Sequence, residues 1–401
     1  MGFTQGYKLS GRSIGCGRRF LGGMEMKRML ALLLAVLLLP LQAGAVEISG
    51  KSGILMEAAT GTVLYEQAPR EALAPASVTK IMTLLLIMEA VDDGRVMLTD
   101  MVTASETAAA KGGSQIYLKA GETMRVEDMV KSIAVSSAND CACAMAEHLA
   151  GSESAFVEKM NEKARQLGME NTHFVNCTGL DDGPEAKDHR TSAHDIALMS
   201  RELLTKHPAV KKYTTIWMDT VRDGTFGLSN TNKLVRFYPG ATGLKTGFTT
   251  GAGYCLSATA QRDGMELIAV VMGSETSQKR NESCKQLLDY GFANYGLHTP
   301  ELPEVPVIPV KLGKAETVTL ELAENQPLLV EKARKGALET EMTVKDTVTA
   351  PVEKGQRLGT LTVRDADRVL AEIPLTAAQE VARLTLWDLF VKVLRKIAMA
   401  G

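Results

Sequence analysis

A serine three residues ahead of a lysine, in Ala74-Pro75-Ala76-Ser77-Val78-Thr79-Lys80-Ile81-Met82-Thr83, opens a stretch of apolar, helical pattern. Residues i and i+3 share a helix face, so the amine of Lys80 can reach the hydroxyl of Ser77. Burial and neighbouring positive charge lower an amine's pKa. Such an amine can take the hydroxyl proton and make the serine a nucleophile. By itself the same spacing also describes a capped helix with a solvated lysine. Two further elements share that ambiguity. Ser137 and Asn139, in Ser136-Ser137-Ala138-Asn139-Asp140, offer a hydroxyl able to relay a proton and an amide able to hold a peptide group, or else an N-cap cluster. Lys245-Thr246-Gly247 offers a cation and a hydroxyl for a carboxylate beside a glycine that admits a substrate backbone, or else a glycine-rich turn.

These residues need a scaffold, and residues 46–298 supply one large mixed unit of α/β or α+β type. The apolar run Ile81–Val91 reads as helix and Leu267–Met272 as strand. Prolines at 300, 303, 306 and 309 predict an extended connector over 299–309. Alternating apolar and polar positions over 310–375, as in Thr317-Val318-Thr319-Leu320-Glu321-Leu322, predict a small all-β domain. Over 376–401 the period becomes helical. Val381, Leu384, Trp387, Phe390, Val391, Leu394 and Ile397 recur every three or four residues, with Arg383, Lys392, Arg395 and Lys396 among them. This pattern predicts a cationic amphipathic helix on a membrane surface. At the other end, Lys27 and Arg28, the apolar run Met29–Leu41 and Ala43-Gly44-Ala45 read as a secretory signal within a leader spanning 1–45.

Composition excludes several classes. The chain carries 45 basic and 47 acidic residues, and six of the basic ones fall in residues 1–45 with a single acidic residue. The remainder therefore carries 39 against 46, a net charge of −7, which argues against nucleic acid as a partner. The six histidines (148, 173, 189, 194, 207 and 298) show no zinc-ligand spacing, so neither a metal nor an organic cofactor is expected. Cys141, Cys143, Cys177, Cys255 and Cys284 form no CxxC pair and read mostly as small buried apolar residues.

S-x-x-K, S-x-N and K-T-G occur once each, in that order, behind a signal-like leader. With Leu167-Gly168-Met169-Glu170-Asn171-Thr172-His173-Phe174, Ser192-Ala193-His194-Asp195 and Asn281-Glu282-Ser283, the sequence closely resembles the low-molecular-mass penicillin-binding proteins that are serine D-alanyl-D-alanine carboxypeptidases. The resemblance covers nearly all the chain after residue 45. It implies an antiparallel sheet flanked by helices, with peptidoglycan stem peptides and β-lactam antibiotics as ligands. It also implies an extracytoplasmic place on the outer face of the cytoplasmic membrane. Ser77 is then the nucleophile, Lys80 its proton acceptor and Ser137 a proton relay. Asn139 holds the substrate amide, and Lys245 with Thr246 binds its terminal carboxylate. Gly247 lies beside the substrate, the backbone N–H groups of Ser77 and Phe248 form the oxyanion hole, and Arg280 stands near the carboxylate or is a solvated surface residue. Phe248 follows Lys245-Thr246-Gly247 where some relatives have histidine, and Cys177-Thr178-Gly179-Leu180 replaces a usual proline-containing turn. A class A β-lactamase shares the three motifs, but no Glu-x-x-Leu-Asn follows Ser137, and its length leaves residues 300–401 unexplained. A non-catalytic wall-binding protein on the same scaffold is a third reading, opposed by the intact set of site residues. Oligomeric state is not legible.

Overall fold

A consecutive apolar run, Ile54-Leu55-Met56, forms the heart of the first strand. In the computed structural model, which describes residues 46–302, 304–324 and 326–398, β1 (Ser52–Glu57) is buried throughout and turns back into the more exposed β2 (Val63–Gln67). The expected leader, residues 1–45, lies outside the described residues. Three longer strands follow much later in the chain: β3 (Ala241–Thr249), β4 (Gly253–Arg262) and β5 (Met265–Ser274). All five pair antiparallel in the order β2-β1-β5-β4-β3. Nearly every residue of β5 is buried, so both faces of the sheet centre are covered. Helices α5 (Ala193–Lys206) and α6 (Ser277–Asn294) pack against it.

Between β2 and β3 the chain builds a helical layer from α1 (Lys80–Asp92), α2 (Val126–Ser136), α3 (Asn139–Ala150) and α4 (Glu153–Gln166). Helix α1 is apolar around most of its circumference and sits in the middle of this layer, against α2, α3, α4 and α5. One core of Ile, Leu, Val, Met and Ala side chains runs through helices and sheet together. The five cysteines between 141 and 284 are free thiols, all buried.

The C-terminal strands are β6 (Val307–Lys311), β7 (Thr317–Leu322), β8 (Leu338–Val344), β9 (Val348–Thr349), β10 (Arg357–Asp365) and β11 (Arg368–Ala377). Their sheet order is β8-β10-β11-β7-β6-β9, with a core of Ile308, Val318, Leu320, Leu361, Val363 and Leu375. Two details differ from the sequence expectation. The proline-spaced stretch gives way to β6 at Val307, where Ile308 and Val310 point inward and Pro309 lies on an exposed position. The stretch is also bridged, because Tyr295–His298 before it pairs with Leu328–Glu331 beyond it, and the Lys332 ammonium donates to the Phe292 carbonyl at 2.6 Å.

The last helix, α7 (Leu386–Ala398), begins at Leu386 and not near 376. Val381 fits the helical period only by coincidence: it is buried in the β core and bridges to Val352, and the Leu384 N–H donates to the Leu312 carbonyl. Thr385 sets the true start. Its hydroxyl accepts from the Asp388 N–H at 3.2 Å, and Asp388 accepts in return from the Thr385 N–H at 2.9 Å, a reciprocal cap. Leu386, Trp387, Phe390, Val393, Leu394 and Ile397 stay exposed.

Candidate active site

Ser77 lies in a 3-10 turn, Ala76–Thr79, that runs straight into α1. Lys80 is the first residue of that helix and is fully buried. Its ammonium donates to Ser77 Oγ at 3.0 Å and to the Thr178 carbonyl at 2.8 Å. Burial pushes the lysine pKa down to about 7, while Cys177 and Asp140 pull it the other way. A large neutral fraction therefore exists near neutral pH, and the Thr178 carbonyl takes one amine hydrogen so that the lone pair can turn toward the Ser77 hydroxyl.

The turn carrying Thr178 is itself held. Asn176 Oδ1 accepts from the Thr178 N–H at 3.1 Å, the Thr178 hydroxyl at 3.1 Å and the Gly179 N–H at 2.7 Å. Gly179 has φ +81°, and a Cβ there would stand 1.8 Å from the Ala76 carbonyl oxygen, so no other residue fits against the serine turn. His189 fastens the turn from below. Its Nδ1 accepts from the Val175 N–H at 3.1 Å, which leaves Nε2–H to donate to the Thr79 hydroxyl at 2.8 Å, and that hydroxyl donates to the Ala76 carbonyl. Burial holds the His189 pKa down at about 4, with His173 and Lys80 adding to the effect, so the ring is neutral.

Ser137 is not an N-cap. It closes α2 in the left-handed region at φ +62°, with its hydroxyl buried and without a protein hydrogen-bond partner. Asn139 opens α3. Its Nδ2 donates to the Gly112 carbonyl at 2.7 Å, its N–H donates to the Ser114 carbonyl at 2.7 Å, and its Oδ1 has no protein partner. The fully buried Asp140 accepts from the N–H groups of Ile116 and Leu118 at 3.1 and 3.0 Å, which fixes the loop alongside.

Lys245, Thr246 and Gly247 lie in a strand, β3, at the edge of the central sheet. A Cβ on Gly247 would come within 2.8 Å of the Pro75 carbonyl oxygen and 3.0 Å of the Val78 nitrogen, so this glycine lets strand and serine turn meet backbone to backbone. The Phe248 ring is 53% exposed and stacks on Tyr254 at 4.2 Å between centroids. Lys245 is buried, and its ammonium donates to the Thr246 carbonyl at 3.0 Å. Its pKa lies well below the usual lysine value, through burial first and then the charges of Lys80 and Arg280. Arg280, on α6, is buried and not a solvated surface residue. Its guanidinium donates to Asn281 Oδ1 at 3.1 and 2.9 Å and to the Cys255 carbonyl at 3.4 Å. Burial pushes its pKa down as well. Among the described residues no carboxylate forms an ion pair with Lys80, Lys245 or Arg280. Buried basic groups without a counter-ion, their pKa values lowered for want of one, make a site that an anion stabilises in its charged form.

The nine expected residues thus lie on three parts of the fold: the serine turn with α1, the α2–α3 junction, and β3 with α6, of which β3 meets the serine turn at Gly247. Sequence reasoning missed the Thr178 carbonyl and His189. The first is a main-chain atom and the second acts across 110 residues, so neither leaves a local signal.

Comparison with known proteins gives concordant matches. The family model described as D-alanyl-D-alanine carboxypeptidase matches residues 40–276, and that of the penicillin-binding protein 5 C-terminal domain matches residues 304–383. The D-alanyl-D-alanine carboxypeptidase DacF of Bacillus subtilis (strain 168) is 44% identical over 340 residues, covering 83% of this chain and 86% of its own. DacC of Escherichia coli (strain K12) is 32% identical over 350 residues, covering 84% and 85%. Among solved structures, penicillin binding protein 5 of Haemophilus influenzae superposes with a TM-score of 0.71 at 29% identity, over 84% of this chain and 98% of that one. The ampicillin-bound form of penicillin-binding protein D2 of Listeria monocytogenes gives 0.54 at 31% identity, over 62% and 99%.

Proposed function

The chain belongs to the D-alanyl-D-alanine carboxypeptidase family, a family of serine hydrolases, and on that premise we propose how its own residues carry the reaction. Ser77 Oγ attacks the carbonyl carbon of the D-Ala-D-Ala bond at the end of a peptidoglycan stem peptide, and neutral Lys80 takes its proton. The oxyanion is met by the N–H groups of Ser77 and Phe248, on the two backbones that Gly247 brings together. Ser137 passes a proton to the departing D-Ala nitrogen, and Asn139 holds the substrate amide. Lys245, Thr246 and Arg280 receive the terminal carboxylate, which supplies the counter-ion these buried basic groups lack. Water then hydrolyses the acyl-Ser77 ester and restores the hydroxyl. A β-lactam acylates the same oxygen.

The observation that carries this reading is the buried Lys80 amine, 3.0 Å from Ser77 Oγ and anchored at 2.8 Å on the Thr178 carbonyl. The purified protein should release D-Ala from a stem pentapeptide and retain labelled penicillin through denaturation, and Ser77→Ala should do neither. Penicillin retained by a folded Ser77→Ala protein would overturn the assignment.

We also infer that residues 46–298 act as the catalytic segment and that the chain works outside the cytoplasmic membrane, with α7 resting on the membrane surface. No helix among the described residues is long and apolar enough to cross a membrane. The exposed row Leu386, Trp387, Phe390, Val393, Leu394 and Ile397 suits the headgroup boundary instead. Deleting residues 386–401 should release the protein from membranes and leave D-Ala release from soluble peptides unchanged. Retention of the shortened chain on membranes would refute the anchor.

A further inference from the structure

The carboxylate end of the cleft contains a residue that no motif marks. Between two short strand segments and β3, the sequence Asn230-Thr231-Asn232 alternates buried, exposed, buried. The two asparagines act as anchors. Asn230 Nδ2 donates to the Ile216 carbonyl at 2.7 Å, and its Oδ1 accepts from the Asn232 N–H at 2.8 Å. Asn232 Nδ2 donates to the Gly243 carbonyl at 2.7 Å, which ties the loop to the beginning of β3. Thr231 is thereby presented outward between two fixed points. Its N–H donates to the Val135 carbonyl at 3.1 Å, two residues before Ser137. Its hydroxyl lies 2.6 Å from the hydroxyl of Thr246.

We propose that Thr231 is a positioning residue for recognition of the substrate's terminal carboxylate, acting through the Thr246 hydroxyl. The proposal rests on the reading of β3 as the carboxylate wall. Thr246 has one hydroxyl proton and two acceptor lone pairs. An anion beside Lys245 draws that proton toward itself, so the short contact with Thr231 must then run from the Thr231 O–H to Thr246 Oγ1. Thr231 thus fills the acceptor side of Thr246 and fixes its rotamer with the proton facing the carboxylate. Without this partner, Thr246 is free to donate to other acceptors and loses its preset orientation. Thr231 further links the two walls, since one residue holds both the α2 terminus and the β3 hydroxyl.

The test pairs an acid with its neutral form. Acylation by benzylpenicillin and by its methyl ester is measured for wild type, Thr231→Val and Thr231→Ser. Valine keeps the branched shape and removes the hydroxyl, whereas serine keeps the hydroxyl. Thr231→Val should lose about five- to tenfold in acylation efficiency with the acid, the worth of one neutral hydrogen bond, and less than about twofold with the ester. Thr231→Ser should recover most of the loss. Equal losses on acid and ester, no loss on the acid, or no recovery with serine would each overturn the role of Thr231. Failure of the underlying reading looks different: wild type itself would then show no preference for acid over ester.

Discussion

The half of the molecule that carries Ser77 buries Lys80, Lys245 and Arg280 without a paired carboxylate, whereas the buried residues of the C-terminal sheet are aliphatic apart from Thr376. The buried positions of the C-terminal sheet are almost all apolar, though Val307 and Val369 face outward. The catalytic end departs from it, with buried basic side chains and with a hydroxyl and an amide oxygen lacking protein partners. One core is organised for stability, and the other buries basic groups that an anionic substrate would pair.

The largest test of this contrast is kinetic. Lys80→Ala should lower penicillin acylation by about 10²- to 10⁴-fold, the range for removing a positioned general base, while near-native circular dichroism shows that the fold survives. Near-wild-type acylation by the folded variant would erase the distinction between the two cores. In the C-terminal sheet, Leu361→Ala should instead cost about 2–5 kcal/mol of stability by denaturant unfolding and leave kcat/KM on a soluble pentapeptide unchanged. A matching loss of turnover would mean that the two regions are energetically one.

A subtler comparison uses pH. The folded pKa of Lys80, about 7, lies below its unfolded value, so between the two the unfolded chain binds more protons and stability rises with pH across that window. Lys80→Met removes the titration. Its Tm relative to wild type should be most favourable at or below pH 7 and should fall steadily toward pH 10; a difference independent of pH would show that burial of the amine carries no such cost. The smallest effect belongs to α7: Thr385→Ala should cost about 1 kcal/mol of helix stability through the lost cap, detected as fraying in hydrogen exchange.

Legibility in the sequence divides along the same line. Ser77 with Lys80, Ser137 with Asn139, and Lys245-Thr246-Gly247 are pairs or triplets of side chains close in sequence, and local spacing exposes them. The alternation Thr317 to Leu322 likewise shows its buried face directly, with Val318 and Leu320 inward. What supports the site is not local. Thr178 contributes a carbonyl that any residue would have, His189 reaches Thr79, and Thr231 sits 15 residues from its partner in a loop whose shape depends on two buried amides. The start of α7 escaped for another reason. Val381 and Leu384 continue the helical period by chance, and only pairing with Val352 and Leu312 reveals them as extended.

The buried thiols have a bearing on how this chain meets electrophiles. Burial lifts Cys255 to about 11 and Cys284 to about 12, and Cys141 and Cys177 also stand well above the usual thiol value. Nucleophilic sulfur is the thiolate, so at neutral pH these groups are both hidden and unionised. The folded body should therefore be silent toward iodoacetamide and maleimides while an acylating drug still finds Ser77. Opening of the same core would expose Cys141, Cys143, Cys177, Cys255 and Cys284 to solvent. Thiol trapping thus becomes a clock for unfolding that runs independently of the chemistry at the serine.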